Sequence, residues 1–280
     1  MSLRINHNVT SMAAQRTVAK NSSDLEKSVE RLSSGLRINH SWDDPAGLGV
    51  SERLRAQIAS LEEAERNANY GINLLATAEG ALATIDEKLI RMRALSVEAA
   101  NGTLSSLDRS YLDVEFQQLK SEVTRIASVT NYNGMNLLDG TYSSGSTNGG
   151  VRLQVGTGTT QNQDYYSVSL TAMTASSLGL NSADLTNTTM ALSALTQMDS
   201  AIGTKDSERT RLGAFVTRLG YTISNLQIAQ ETATASESTI RDTDFAQEMA
   251  GFTRAQILMQ SGLAMLAQAN SMPNYVLQLL

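Results

Sequence analysis

Residues 54–100 read LRAQIASLEEAERNANYGINLLATAEGALATIDEKLIRMRALSVEAA. Within them Leu54, Ile58, Leu61, Ala68, Ile72, Leu75, Leu82, Ile85, Leu89, Met92 and Leu95 recur at steps built from threes and fours. That spacing lines side chains along one face of a 3.6-residue helix and, sustained over heptads, makes a coiled-coil seam. Glu65 and Glu79 read as polar intrusions on the stripe. Just upstream, Asp44 is suited to accept from free backbone N–H groups as a helix cap, and Pro45 fits a first turn in which no backbone donor is missed. The spacing therefore predicts one helix from Pro45 to about Ala99. At 1.5 Å per residue it is roughly 80 Å long, beyond the ~50 Å width of a compact chain of this size, so a rod is expected.

The same period recurs on both sides. Ile5, Val9 and Met12, then Val18, Leu25, Val29, Leu32 and Leu36, fit an amphipathic amino-terminal helix. Asn101, Gly102 and Thr103 offer a turn, after which Leu112, Phe116, Leu119, Val123 and Ile126 predict a shorter helix ending before Asn131, antiparallel to the long one. Leu212, Val216, Leu219, Ile223, Leu226, Ala233 and Ile240 complete a bundle. Between Leu138 and Thr189 the composition turns to Ser, Thr, Gly and Asn. Two alternating runs there, Val151 to Val155 and Tyr166 to Leu170, predict short strands with one buried face. The fold class is mainly α: a long antiparallel helical bundle or coiled-coil rod with a small β-hairpin region.

From Ala255 to Leu280 there is no Asp, Glu, Lys, Arg or His. One apolar line nevertheless runs through Leu258, Gly262, Met265, Ala269, Met272, Val276 and Leu280, with a neighbouring line of Ile257, Gln260, Ala264 and Ala267 beside it. A chain end in water normally frays, so an end this poor in charge predicts burial against other copies of the molecule. The candidate assembly residues are Ile5, Val9, Met12, Leu258, Met265, Met272, Val276 and Leu280.

Composition removes other functions. A net charge of -6 and a pI near 5.1 disfavour a nucleic-acid partner. The absence of Cys excludes disulfides and thiolate chemistry. No run of about 18 uninterrupted apolar residues is present, and the tail carries none of the basic residues that meet lipid headgroups, so no membrane insertion is expected. The start MSLRINHNVTSM lacks the pattern of a cleaved Sec signal. His7 and His40 are the only histidines, and neither lies in a zinc motif. Asp43 and Asp44, next to Pro45, read as helix capping rather than an acid–base pair. No catalytic residue, metal or cofactor is expected, and the chain reads as a non-enzyme.

The stretch RLSSGLRINHSWDDPAGLGVSERLRAQI at 31–58 is followed by RNANYGINLLATAEGAL, RMRALSVEAANGT and YNGMNLLDG. The chain closes with STIRDTDFAQEMAGFTRAQILMQSGLAMLAQANSMPNYVLQLL at 238–280. In these motifs, in order at opposite ends, it closely resembles bacterial flagellin. The resemblance implies an inner-layer helix and spoke at 1–43, outer-shell helices at 44–138, a short β-rich segment at 139–189, a further outer-shell helix at 190–240 and a second inner-layer helix at 241–280. It implies a structural subunit that polymerises through both terminal helices, disordered before assembly, into the extracellular flagellar filament used for swimming. A hook-filament junction protein or a flagellin-like surface adhesin is the alternative. Implied partners are other flagellin subunits, an export chaperone, and cap and junction proteins, with export through the flagellum-specific type III apparatus. Arg91, Leu95 and Glu115 occupy positions that in related flagellins contact Toll-like receptor five, although Ala94 departs from the acidic residue usual beside that motif. The bundle alone also accounts for them, with Leu95 on the seam and Arg91 and Glu115 forming an interhelical ion pair.

Overall fold

A computed structural model describes residues 7–146 and 149–278, with side chains described as far as residue 272. Five helices dominate: α1 (Val9–Ser34), α2 (Pro45–Ala99), α3 (Ser106–Val129), α4 (Thr188–Arg241) and α5 (Phe245–Gln278). Between α3 and α4 lie two antiparallel hairpins, β1 (Asn131–Tyr132) with β2 (Met135–Asn136), and β3 (Val151–Gln154) with β4 (Tyr165–Val168). Contacts divide the chain into two compact units, Ala59–Glu231 and the combination of Met1–Ile58 with Thr232–Leu280.

Helix starts follow from local chemistry. The Asp44 carboxylate accepts the Gly47 N–H at 2.8 Å, and Pro45 opens α2. Ser105 and Asp108 form a reciprocal capping box at α3. Between these helices, the Asn101 side chain accepts the Thr103 N–H at 3.2 Å, making the expected turn. The end of α2 is closed from α3: buried Arg109 donates to the Ala99 and Asn101 carbonyls, both at 2.8 Å, groups that a helix end leaves unpaired.

Unit Ala59–Glu231 is built on the heptad stripe of α2. Leu75, Leu82, Ile85, Leu89, Met92 and Leu95 are fully buried against Phe116 and Val123 of α3 and Met198, Leu212 and Leu219 of α4. Glu65 and Glu79 stand beside this seam rather than on it. Glu65 accepts from Gln227 at 2.7 Å and Glu79 from Arg209 at 3.0 Å, so each ties α2 to α4 across the flank. Helix α4 begins at Thr188, upstream of the Leu212 stripe, because Ala191, Ala194, Met198 and Ala201 carry the same period in smaller residues.

Two charged residues continue that α4 stripe into the core. Lys205 is buried and donates to Asp86 of α2 and to Asp206, both at 2.6 Å. Burial acts to lower its pKa, but the hydrogen bonds to Asp206 and Asp86 outweigh it and hold the ammonium above the ordinary lysine value. Buried Glu208 accepts from Arg211 at 2.6 Å and from the Thr171 N–H and hydroxyl at 3.1 and 2.9 Å, while Arg211 also donates to the Ser169 hydroxyl at 2.7 Å. This clasp fixes the chain leaving β4 on α4.

The predicted strands appear as one hairpin, with Val151 opposite Val168 and Leu153 opposite Tyr166. It seats on the helices through a missing side chain: a Cβ on Gly71 would lie 2.7 Å from Leu153 Cδ1 and 3.4 Å from Leu219 Cδ1. The β1–β2 hairpin was not expected from the sequence. Its turn is Asn133-Gly134, with φ of 49° and 77°, the left-handed pair that a two-residue hairpin needs.

Replacing Lys205 by Met, of similar length, is expected to cost less than truncation, because it fills the same space while still leaving Asp86 without its cation. Lys205→Ala is expected to cost about 2–4 kcal/mol in denaturant unfolding, because it opens a cavity and strips Asp86 of its cation. The raised Lys205 pKa stabilises the fold fully below the ordinary lysine value of 10.5. That contribution is lost as pH rises through the raised value, so an unfolding series at alkaline pH should steepen in the wild type and flatten in Lys205→Met.

Candidate assembly surface

Helices α1 and α5 run antiparallel, and the charge-poor tail meets α1 along a narrow seam. At one end the Asn8 side chain caps α1 by accepting the Ser11 N–H at 3.0 Å and donates to the Ala269 carbonyl at 2.7 Å. Nearby the Ser11 hydroxyl donates to Asn270 at 2.6 Å. At the other end Arg31 lies 3.6 Å from Glu248. Between these ends the less exposed residues of α5 are Phe252, Ala255, Met259, Gly262, Leu266 and Ala269, alternating steps of three and four. They face Ala14, Val18, Asn21, Leu25, Ser28 and Leu32 of α1, which keep the same alternation. Small residues let the helices approach closely: a Cβ on Gly262 would stand 2.8 Å from Val18 Cγ2.

This seam uses only part of the apolar surface. Gly262 and Ala269 of the sequence-predicted line take part in it, whereas Leu258, Met265 and Met272 form a second heptad-spaced row that is exposed beside it. Met265, for example, is 62% exposed. On other faces Phe245, Met249, Ile257 and Leu263 are exposed, as are Val9 and Met12 of α1. Val276 belongs to the backbone of α5, but its side chain lies outside the described residues, as do Ile5 and Leu280 altogether. The Phe252 to Ala269 seam was legible as a heptad. From Ala255 onward the helix carries no charge and so offers several apolar lines, and the choice among them depends on the partner helix.

The segments connecting α1 to α2 and α4 to α5 are bonded to each other. Leu36 bridges Asp242, the Arg37 N–H donates to the Arg241 carbonyl at 2.6 Å and the Thr243 N–H to the Gly35 carbonyl at 3.0 Å. Gly35 takes the left-handed conformation, φ 73°, that ends α1. Arg241 reaches Glu52 of α2 at 2.9 Å. Asp244 caps α5 by accepting the Ala246 and Gln247 N–H groups at 2.9 and 3.2 Å. Ile38 is buried, and a Cβ on Gly47 would stand 3.0 Å from its Cδ1 and 2.3 Å from Oδ2 of Asp44, the carboxylate oxygen not engaged in the cap. Asp43 accepts the Asn39 and His40 N–H groups at 3.3 and 3.0 Å. The His40 N–H does most, against the opposing effect of burial, to hold the Asp43 carboxyl below its ordinary range. Both acids of the Asp43-Asp44 pair thus serve backbone groups.

The three candidate receptor residues lie in unit Ala59–Glu231. Arg91 and Glu115 pair through two contacts, Nε to Oε1 at 2.7 Å and Nη2 to Oε2 at 3.0 Å, on an exposed flank. The hydrogen bond from Arg91 lowers the Glu115 pKa, and the same bond raises that of Arg91. Leu95 is fully buried in the bundle seam beneath. Among the described residues no group of three or more His, Cys, Asp or Glu side chains is placed to hold a metal ion, and no helix is long and apolar enough to cross a membrane.

Comparison with known proteins matches residues 5–143 to the bacterial flagellin N-terminal helical region and residues 195–280 to the bacterial flagellin C-terminal helical region. The chain is 45% identical over 278 residues to a flagellin of Halalkalibacterium halodurans, covering 99% of each. It is 41% identical over 286 residues to a flagellar filament 33 kDa core protein of Treponema phagedenis, again covering 99% of each. A solved structure described as a flagellar hook-associated protein of Vibrio parahaemolyticus aligns with 71% of this chain and 100% of its own, with a TM-score of 0.57 and 17% identity, a likeness of fold alone.

Gly262→Leu is expected to force Val18 away and to weaken the docking of α1 on α5 by about 1–3 kcal/mol. Faster hydrogen exchange in both helices, with unit Ala59–Glu231 unaffected, is the measurement that checks it.

Proposed function

The chain belongs to the bacterial flagellin family and is a structural subunit of the extracellular flagellar filament; from that premise we propose that the α1–α5 hairpin is what joins it to neighbouring subunits. The observation that carries this reading is the surplus of apolar surface on α5. One row of its side chains seats on α1, and the row Leu258, Met265 and Met272 stays exposed among the described residues. Apolar rows of this length on a soluble protein mark surfaces that other chains cover. Val9 and Met12 extend the same surface on α1, and Ile5, Val276 and Leu280 continue the two sequences at their ends. Amide and thioether side chains suit such a contact, because they pack without the strict geometry of buried ion pairs and tolerate small sliding between neighbours.

In this reading residues 1–43 and 241–280 form the inner layer of the filament, and 44–138 with 190–240 the outer shell, with the hairpin segment 139–189 at the surface. The subunit is exported by the flagellar type III apparatus without a cleaved Sec signal. A chaperone covers the uncharged tail beforehand, and cap and junction proteins meet the ends of the filament. Identity to filament proteins along 99% of the chain favours a filament subunit over a junction protein or adhesin. A vertebrate receptor such as Toll-like receptor five would meet the exposed Arg91–Glu115 pair, with Leu95 supporting that surface from within.

Seeded or salt-induced polymerisation should give long filaments from the intact chain and none from a version trimmed to 41–240. Changing Leu258, Met265 and Met272 together to Ser should raise the critical concentration by roughly tenfold or more, since each buried Leu or Met contributes about 1.5 kcal/mol or more. Unchanged polymerisation of that triple variant would remove the row from the interface. For the receptor, Arg91→Asp should reduce signalling in a reporter assay, and equal signalling would dismiss that contact.

A further inference from the structure

The turn between α2 and α3 combines a reactive dipeptide with hydrogen-bond donors aimed at both of its carbonyl oxygens. The sequence contains three Asn-Gly pairs, at 101, 133 and 148, and Asn148 lies outside the described residues. Asn101 and Gly102 are exposed, and among the described residues the Gly102 N–H meets no acceptor. The Asn101 side-chain Oδ1 accepts the Thr103 N–H at 3.2 Å, and its backbone oxygen accepts Nη2 of Arg109 at 2.8 Å and the Leu104 N–H at 3.4 Å. Arg109 is 9% exposed, and among the described residues its guanidinium touches no carboxylate; neighbouring Asp108 is tied to Ser105 in the α3 cap. A buried cation held by neutral carbonyls is a costly arrangement that a carboxylate would complete. Asn133-Gly134 differs: among the described residues no donor reaches the Asn133 side chain, and the pair is locked at φ 49° and 77° between the paired residues Tyr132 and Met135.

We propose that Asn101-Gly102 is a self-modifying site that converts to an isoaspartyl linkage whose freed α-carboxylate pairs with Arg109. Solvent base takes the Gly102 amide proton, the nitrogen bonds to Asn101 Cγ, and Nδ2 takes a proton and leaves as ammonia, closing a cyclic imide. Water then adds to one imide carbonyl and breaks its bond to the Gly102 nitrogen, which regains its proton. The balance is one water consumed and one ammonia released, with nothing oxidised or reduced. Negative charge develops first on Oδ1, where the Thr103 N–H already points, and in the second step on the oxygen of whichever carbonyl water attacks. Opening at Cγ gives aspartate. Opening at the backbone carbon, whose oxygen faces the Arg109 guanidinium, gives isoaspartate and makes that oxygen part of a carboxylate on the buried cation. The existing contacts are kept: Oδ1 becomes the main-chain oxygen under the Thr103 N–H, and the lengthened chain is taken up at Gly102, where a Cβ would meet nothing within 4 Å.

The test incubates the full-length soluble chain, folded or in urea, at mildly alkaline pH. Each Asn-Gly peptide is followed by mass spectrometry with fragmentation that separates isoaspartate from aspartate. In the folded chain Asn101 should convert about fivefold or more faster than Asn133, because only Asn101 carries a donor on the carbonyl that is attacked. The isoaspartate-to-aspartate ratio at 101 should exceed its value in urea by about tenfold, the effect of one charge-assisted hydrogen bond. Arg109→Lys keeps the charge but loses the planar reach to both carbonyls, so it should return the ratio to the urea value, with far-UV circular dichroism confirming helix content. An Asn101 still intact after Asn133 has converted, or a ratio at 101 that is the same folded and in urea, would overturn the proposal, and both are read on the unmutated chain.

Discussion

The alternation of three- and four-residue steps along α2 and α4 is the constraint on which unit Ala59–Glu231 depends. It turns two helices of 55 and 54 residues into surfaces that bury the same edge turn after turn. Long helices gain little from propensity alone; packing of the apolar edge holds them. Every other element of that unit answers to the seam. Helix α3 lays Phe116 and Val123 on it, Arg109 of α3 closes the end of α2, and the β3–β4 hairpin inserts Leu153 where Gly71 leaves room. A side chain at position 71 would hold that hairpin off the helices.

Charge enters this seam only under tight local control. Lys205 and Glu208 occupy successive core positions of α4, and each is bonded at several points, Lys205 by Asp86 and Asp206, Glu208 by Arg211 and Thr171. Buried ion pairs seldom add net stability over apolar residues of the same volume, but leaving one partner unpaired is costly. Their effect here is selective: Lys205 admits only a register that brings Asp86 opposite it, and Glu208 only a path that brings Thr171 within reach.

Among its described residues the other unit works with smaller side chains and no such core. Seam positions on α1 and α5 include Ala14, Ser28, Ala255, Gly262 and Ala269, so the helices approach closely while burying modest area. Much of α5 stays apolar and uncovered. A subunit whose terminal helices are incompletely buried alone gains stability when neighbours cover them, which links folding of the ends to assembly.

The helices were legible in the sequence because a sustained heptad, an Asp-Pro start and a Gly stop each act within a few residues of where they stand. That local chemistry determined the start of α2 at Pro45 and its end near Ala99, the end of α3 before Asn131 and the existence of the β3–β4 pair. The two motif sets at the ends determined the family. What the tertiary structure decided was which of several equivalent lines meets which partner. On α5 the row Phe252 to Ala269 was chosen over Leu258 to Met272 because α1 offers Val18 opposite Gly262, a pairing between positions 244 residues apart. The burial of Lys205 and the flank positions of Glu65 and Glu79 have the same origin. Periodicity states that a face exists, while the neighbours that cover or leave it are settled only when distant segments pack.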